Sequence, residues 1–189
     1  MPRANIHPWK LREAARCFRQ GGILAYPTEA IYGLGCDPLN WYAVQRLLLL
    51  KQRSIDKGLI LIAANYEQLL PFIKPLSEEK MEPIQESWPG PNTWLLPVAD
   101  NLPYWLCGRH KTLAVRVTNH PAAAALSLAC GSPLVSTSAN ISSRKPAMNP
   151  TQVRDRLANM ADCIIHSPTG ENRSPSTIRD AATGGIIRA

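Results

Sequence analysis

The residues best suited to chemistry stand in one short stretch, Lys51-Gln52-Arg53-Ser54-Ile55-Asp56-Lys57-Gly58. Three cations lie within seven residues, between the leucine run Leu47–Leu50 and the apolar run from Leu59 to Ala64. A lysine offers a mobile point charge and an arginine a planar fork, a combination suited to phosphates and carboxylates. The cluster would also serve as a solvated basic loop at a helix C-terminus, where cations favour the helix dipole. Polar residues recur at three further places where strands are expected to end: Thr28 and Glu29, Ser136 to Asn140, and Ser174 to Thr177. Each set alone reads as ordinary loop hydrogen bonding. Together they point to a shared polar pocket holding two or more cations.

The elements that must position these groups follow from periodicity. Leu11, Ala14, Ala15 and Phe18 share a helical face, with Pro8 in the first turn and Gly21-Gly22 at the end. Ile23 to Tyr26 reads as a buried strand stopped by Pro27, and Pro27 to Gly35 as a loop. Asn40 is suited to cap a second helix with Val44, Leu47, Leu48 and Lys51 on one face, which delivers the cations to its C-terminus. Leu59 to Ala64 is a strand, Asn65 opens a short helical segment to Leu70, and Ser77 starts a helix limited by Pro83. Trp88 to Thr93 is a rigid turn before the strand Trp94 to Val98. Thr112 to Val117 alternates as a strand with Arg116 opposite Val115 and Val117, and Asn119 caps an alanine-rich helix from Pro121 to Cys130. Pro133 to Thr137 is a strand that runs straight into Ser138-Ala139-Asn140. A loop to Asn149, a helix from Pro150 to Met160 and a strand from Asp162 to His166 follow. After a polar loop, short strands at Ser176 to Arg179 and Ile186 to Arg188 end the chain. This order implies an α/β fold, an open, twisted, mixed sheet with flanking helices.

Composition sets outer limits. The 189 residues suit one domain spanning 1–189, and 45% hydrophobic content allows a sizeable core. No apolar run is long enough to cross a membrane, and the first ten residues lack the apolar segment of a secretory signal. Five scattered cysteines without a C-x-x-C pair imply free thiols in a reducing cytoplasm. Neither they nor the four histidines have metal-ligand spacing, so no protein metal site is expected. The net charge of +7 favours an anionic partner, either a nucleic acid or a phosphate-bearing small molecule. There is no phosphate-binding G-x-x-x-x-G-K-[ST] loop, no dinucleotide fingerprint and no G-x-S-x-G nucleophile turn. Glu29 is the foremost acid candidate, with holding the glycine turn as its first role.

Six segments in order, PTEAIYGLG (27–35), KQRSIDK (51–57), WPGPNT (88–93), AVRVTNHP (114–121), STSAN (136–140) and PSTIRD (175–180), resemble the YrdC-type threonylcarbamoyl-adenylate synthases. The match runs from about residue 20 to the C-terminus and is similar to the single-domain bacterial form. The resemblance implies a YrdC-like sheet with a concave basic face. It also implies formation of threonylcarbamoyl-AMP and pyrophosphate from L-threonine, bicarbonate and ATP. Partner proteins would then transfer the group to N6 of adenosine 37 in tRNAs reading ANN codons. The family's K-x-R and S-x-N residues map onto Lys51, Arg53, Ser138 and Asn140, the implied catalytic set. Thr28 and Arg116 are the implied threonine contacts, and Ser136 and Ser176 join the tetrad around the nucleotide. Mg²⁺ would arrive mainly through the nucleotide, and weak tRNA or RNA binding is compatible with the charge. Ala30, Gly58 and Ser143 depart from the commoner pattern without removing a cation or a tetrad member. An RNA-binding module, and a carbamoyl-phosphate-related domain of the same fold, are the competing readings.

Overall fold

The structure is a computed structural model that describes residues 6–141, 144–157, 160–172 and 176–188. Ser143 and Ser174, singled out above, lie outside the described residues. The strands are β1 (Leu24–Pro27), β2 (Tyr32–Gly35), β3 (Ile60–Ala63), β4 (Asn92–Pro97), β5 (Thr112–Val117), β6 (Leu134–Ser138), β7 (Cys163–Ile164), β8 (Thr177–Asp180) and β9 (Ile186–Arg188). The helices are α1 (Pro8–Arg19), α2 (Trp41–Lys51), α3 (Glu78–Glu86), α4 (Tyr104–Cys107), α5 (Pro121–Cys130) and α6 (Pro150–Leu157). One open sheet runs in the order β7-β1-β2-β6-β3-β5-β4-β8-β9. It is mixed: β1 with β7, β3 with β5 and β4 with β8 are parallel, and the other neighbours are antiparallel.

Local chemistry accounts for most element ends. The Asn40 side chain accepts from the Ala43 amide and starts α2. That helix closes on Gln52, which adopts the left-handed conformation at φ 48° and ψ 45°. Beyond shifts of one to three residues at element ends and the short helix α4, which the sequence does not announce, four features differ from the sequence reading. Tyr32 to Gly35 is a strand, not loop, and forms a hairpin with β1. Its two glycines hide the alternation, yet Gly35 is required, since a Cβ there would lie 2.2 Å from the Val135 carbonyl oxygen. Pro83 sits inside α3 and does not end it. The cap of α5 is His120, not Asn119, because its Nδ1 accepts from the Ala123 amide. Tyr66 to Leu70 forms turns in place of a helical segment, although Asn65 does accept from the Gln68 amide as expected.

The sheet is covered differently on its two faces. Ala25, Tyr32, Leu34, Leu61, Ala63, Leu113, Val115, Val135, Trp94 and Leu96 point to one face and pack with α2, α3 and α6 in a continuous core. The alternate residues Leu24, Tyr26, Ile62 and Leu134 meet Ala14 and Phe18 of α1 and Ala123 and Leu126 of α5. These two helices cover only part of that second face. Two residues further along, Ile60 of β3 and Ser136 of β6 have no helix above them and line an open cavity.

Gln52 follows from this geometry as a test of the α2 turn. Its side chain is exposed, and a non-glycine residue in the left-handed region costs about 1–2 kcal/mol, partly offset by the chain entropy of glycine. Gln52→Gly is expected to raise the urea midpoint by an amount equal to roughly 0.5–1 kcal/mol. A lowered midpoint would contradict the conformation.

Candidate active site

The uncovered half of the second face is the floor of a cavity of about 490 Å³. Six of the eight residues singled out from the sequence line it: Thr28, Arg53, Arg116, Ser136, Ser138 and Ser176. The other two, Lys51 and Asn140, stand just behind its wall. Ile60, Ala114, Leu95 and Ile178 supply an apolar floor, and Lys57 and Arg188 add to the cations. Four cations therefore face a single acidic wall residue, Glu29, among the described residues.

Lys51 ends α2 on the same face as Val44, Leu47 and Leu48, so its side chain is carried inward and only 7% is exposed. Its ammonium donates to the Ser138 carbonyl (2.6 Å), the Asn140 carbonyl (2.6 Å) and the Asn140 side-chain oxygen (2.5 Å). Ser138 Oγ donates to the same Asn140 oxygen at 2.6 Å, and Asn140 Nδ2 donates to the Arg144 carbonyl. The side chains of Arg144 and Lys145 are exposed. Burial, and then the neighbouring Arg53, push the Lys51 ammonium down to about 8. It stays charged at neutral pH, and three oxygens are directed at it.

Arg53 follows the left-handed turn at Gln52 and faces the cavity. It donates from Nη2 to the Gly58 carbonyl at 2.9 Å, while its Nε is buried without a partner. Burial, followed by the Arg188 charge, lowers its proton affinity. Lys57 sits on a single 3-10 turn, Ile55–Lys57, capped by Ser54 Oγ on the Asp56 amide. Asp56 is clamped in turn by Tyr104 Oη (2.8 Å) and Arg109 (2.9 Å). Ser176 accepts from Thr93 Oγ1 at 3.0 Å, and its carbonyl accepts from Arg188 Nη2 at 3.1 Å.

At the other end, Thr28 Oγ1 donates to the Ile31 carbonyl at 2.8 Å and closes the turn between β1 and β2. Arg116 and Glu29 form a buried ion pair, Nη2 to Oε2 at 3.3 Å, with side chains 8% and 7% exposed. Thr118 Oγ1 donates to Glu29 Oε1 at 2.6 Å. The segment before β8 packs over this turn: the Gly170 amide donates to the Thr28 carbonyl and the Asn172 amide to that of Glu29. A Cβ on Gly170 would lie 2.6 Å from the Glu29 carbonyl oxygen, so the close approach requires glycine.

Sequence reading missed Arg188, His110 and Asn172 as cavity residues. No local pattern marks them; for Arg188 only the pairing of β8 with β9 brings it beside Arg53. It also assigned Lys51 to ligand charge, whereas the side chain is turned toward its own protein. Among the described residues, no group of three or more His, Cys, Asp or Glu side chains could hold a metal.

Lys51→Met tests the anchoring. Loss of the donor removes three hydrogen bonds and leaves the buried end of α2 without its anchor, and is expected to destabilise the fold by about 1–3 kcal/mol in urea titration. The sign with pH is fixed by the lowered affinity. Between about 8 and the ordinary lysine value of 10.5, the unfolded chain holds the proton and the folded one does not. Wild-type stability should therefore rise relative to Lys51→Met across that window; a flat difference would mean that the ammonium is not buried.

The comparisons with known proteins agree with this geometry. The Sua5/YciO/YrdC family model, described as "Telomere recombination", matches residues 16–189. A relative from Nitrosococcus oceani, named threonylcarbamoyl-AMP synthase, is 50% identical over 180 residues, which cover 95% of this chain and 97% of the relative. One of the same name from Halorhodospira halophila is 51% identical over 184 residues, covering 97% and 96%. The solved structure of P. abyssi Sua5 complexed with L-threonine superposes with a TM-score of 0.89 at 34% identity, over 97% of this chain and 54% of that one. The chain belongs to the Sua5/YciO/YrdC family.

Proposed function

We propose that this chain is a threonylcarbamoyl-AMP synthase, which condenses L-threonine, bicarbonate and ATP into threonylcarbamoyl-AMP and pyrophosphate. Transferase partners would pass the threonylcarbamoyl group to N6 of adenosine 37 in tRNAs reading ANN codons. The observation that carries the reading is one cavity with cations at both ends, Arg53, Lys57 and Arg188 at one and Arg116 at the other. A cavity built this way suits two anionic substrates that must meet.

The chemistry explains why no nucleophilic side chain is needed. Threonine and bicarbonate give a carbamate and water; a carbamate oxygen then attacks the α-phosphorus of ATP while the bond to the oxygen bridging to the β-phosphate breaks and pyrophosphate leaves. Both reactants are negative, so the barrier is one of approach and alignment. Arg53, Lys57 and Arg188 would offset the phosphate charge. Ser136, Ser138 and Ser176 would supply neutral donors, with Asn140 orienting Ser138 from behind. Lys51 would act mainly by holding Ser138 and Asn140, its charge adding to the field one hydrogen bond away. Arg116 with Thr28 would receive the threonine carboxylate through charge-assisted hydrogen bonds, each worth roughly 1.5–3 kcal/mol. That a relative of this fold is solved with L-threonine supports threonine as a ligand of this cavity.

Mg²⁺ fits this reading as part of the ATP substrate. The one acidic residue on the described wall, Glu29, is engaged by Arg116 and Thr118, which leaves the phosphates to carry the ion. The reading also takes the 189 residues as a single YrdC-like domain acting in the cytoplasm, with weak contacts to tRNA possible at the basic cavity rim. No helix among the described residues is long and apolar enough to cross a membrane, and all five cysteines are free.

Pyrophosphate release should require L-threonine and bicarbonate together; release that is indifferent to omission of either would refute the reaction. Arg53→Ala should lower turnover by about 100-fold or more, the usual scale for loss of one oriented charge, with unchanged circular dichroism. A near-normal rate would remove Arg53 from the site.

A further inference from the structure

Glu29 has no evident part in the reaction just described, yet the fold spends several contacts on it. Thr118 Oγ1 accepts from the His120 amide at 3.1 Å, so its own proton is directed at Glu29 Oε1. Glu29 Oε1 is therefore the acceptor in that bond, and its carboxyl group is turned toward Arg116. His120 is fixed too: Nδ1 accepts from the Ala123 amide, so Nε2 carries the hydrogen that meets the Pro168 carbonyl at 3.1 Å. The other carboxylate oxygen, Oε2, lies 3.3 Å from Arg116 Nη2 and is enclosed without a hydrogen bond of its own. The fold thus pairs a glutamate with the cation assigned to the amino-acid carboxylate.

We infer that Glu29 makes the Arg116 corner selective for zwitterionic α-amino acids over simple carboxylates. The inference rests on the reading that Arg116 receives a carboxylate. In a cavity with four cations, Arg116 alone would attract any small organic acid. Glu29 offsets its charge while leaving its N–H donors in place and holding the guanidinium still. A ligand that bears only a carboxylate then meets an opposing carboxylate at short range in a partly desolvated site. A zwitterion brings a compensating ammonium on the adjacent carbon, and its net charge near Glu29 is zero. Because Oε2 is enclosed and Oε1 is taken by Thr118, Glu29 acts through its field and through Arg116 and is a positioning residue. A purely structural role would affect stability without favouring one ligand over the other.

The test compares two ligands with the same carbon skeleton and hydroxyl group, L-threonine and 3-hydroxybutyrate, which lacks the ammonium. Isothermal titration of the wild-type protein should show threonine preferred by about 100-fold. In Glu29→Gln the preference should shrink by at least about tenfold, through tighter 3-hydroxybutyrate binding or weaker threonine binding. Glu29→Asp keeps the charge and should keep the preference. An unchanged ratio in Glu29→Gln overturns the inference, as does a wild-type protein that binds both ligands equally. The wild-type measurement and Glu29→Asp keep the question answerable if the glutamine variant does not fold. A wild-type protein that binds neither ligand overturns the threonine reading itself, and this inference with it.

Discussion

A single buried ammonium, that of Lys51, joins the two parts of the structure that build the site. It ends an otherwise apolar helix face and is carried into the core by the same periodicity that buries Val44, Leu47 and Leu48. Burying a cation is costly unless oxygen atoms replace its hydration shell. Here the replacements come from the end of β6 and the turn after it, the carbonyls of Ser138 and Asn140 and the Asn140 side chain. The helix end and the strand end therefore fix each other. Arg53, two residues on and past a left-handed turn, is delivered to the cavity as a consequence.

The cavity itself exists because the second face of the sheet is covered for only part of its length. Along β6 the chain changes from Leu134 and Val135 to Ser136, Thr137 and Ser138, and along β3 from Ile62 back to Ile60. Helices α1 and α5 cover the Ile62 and Leu134 positions and stop there. Arg116 pairs in register with Ile62, at the border between the covered and open regions. That border position lets its guanidinium be almost fully buried, paired with Glu29, and still reach the cavity wall.

Much of this was legible in the sequence where the signal was local. The apolar spacing of α2, its Asn40 cap, and the hydroxyl-rich end of β6 each follow from a few adjacent residues. The hairpin strand Tyr32–Gly35 was not legible, because glycines carry no side-chain alternation and their selection reflects close approach of another strand. At the start of α5 the sequence points to Asn119 as the cap, since a histidine ring nitrogen does the same work only when its orientation is fixed by tertiary contacts. The pairing of Glu29 with Arg116 and Thr118 joins positions up to 89 residues apart. No spacing rule connects them. Likewise the resemblance marks Lys51 as a site residue, but only the folded chain shows that its ammonium faces inward.

The distribution of charge in the cavity separates two tasks that composition alone would merge. At the end formed by Arg53, Lys57 and Arg188, the cations are close enough that Arg188 lowers the proton affinity of Arg53. Like charges held together raise the energy of the empty site, and a polyanion such as a triphosphate relieves that repulsion on binding. At the Arg116 end the cation already has a carboxylate partner, so little repulsion waits to be relieved. The first end therefore suits a ligand of high charge and the second a ligand of low net charge with correctly placed donors and acceptors. Exchanging the two substrates between the ends would place a neutral zwitterion against three clustered cations and a polyanion against Glu29. In the proposed reading, the order of the two substrates along the cavity would then be set by one ion pair.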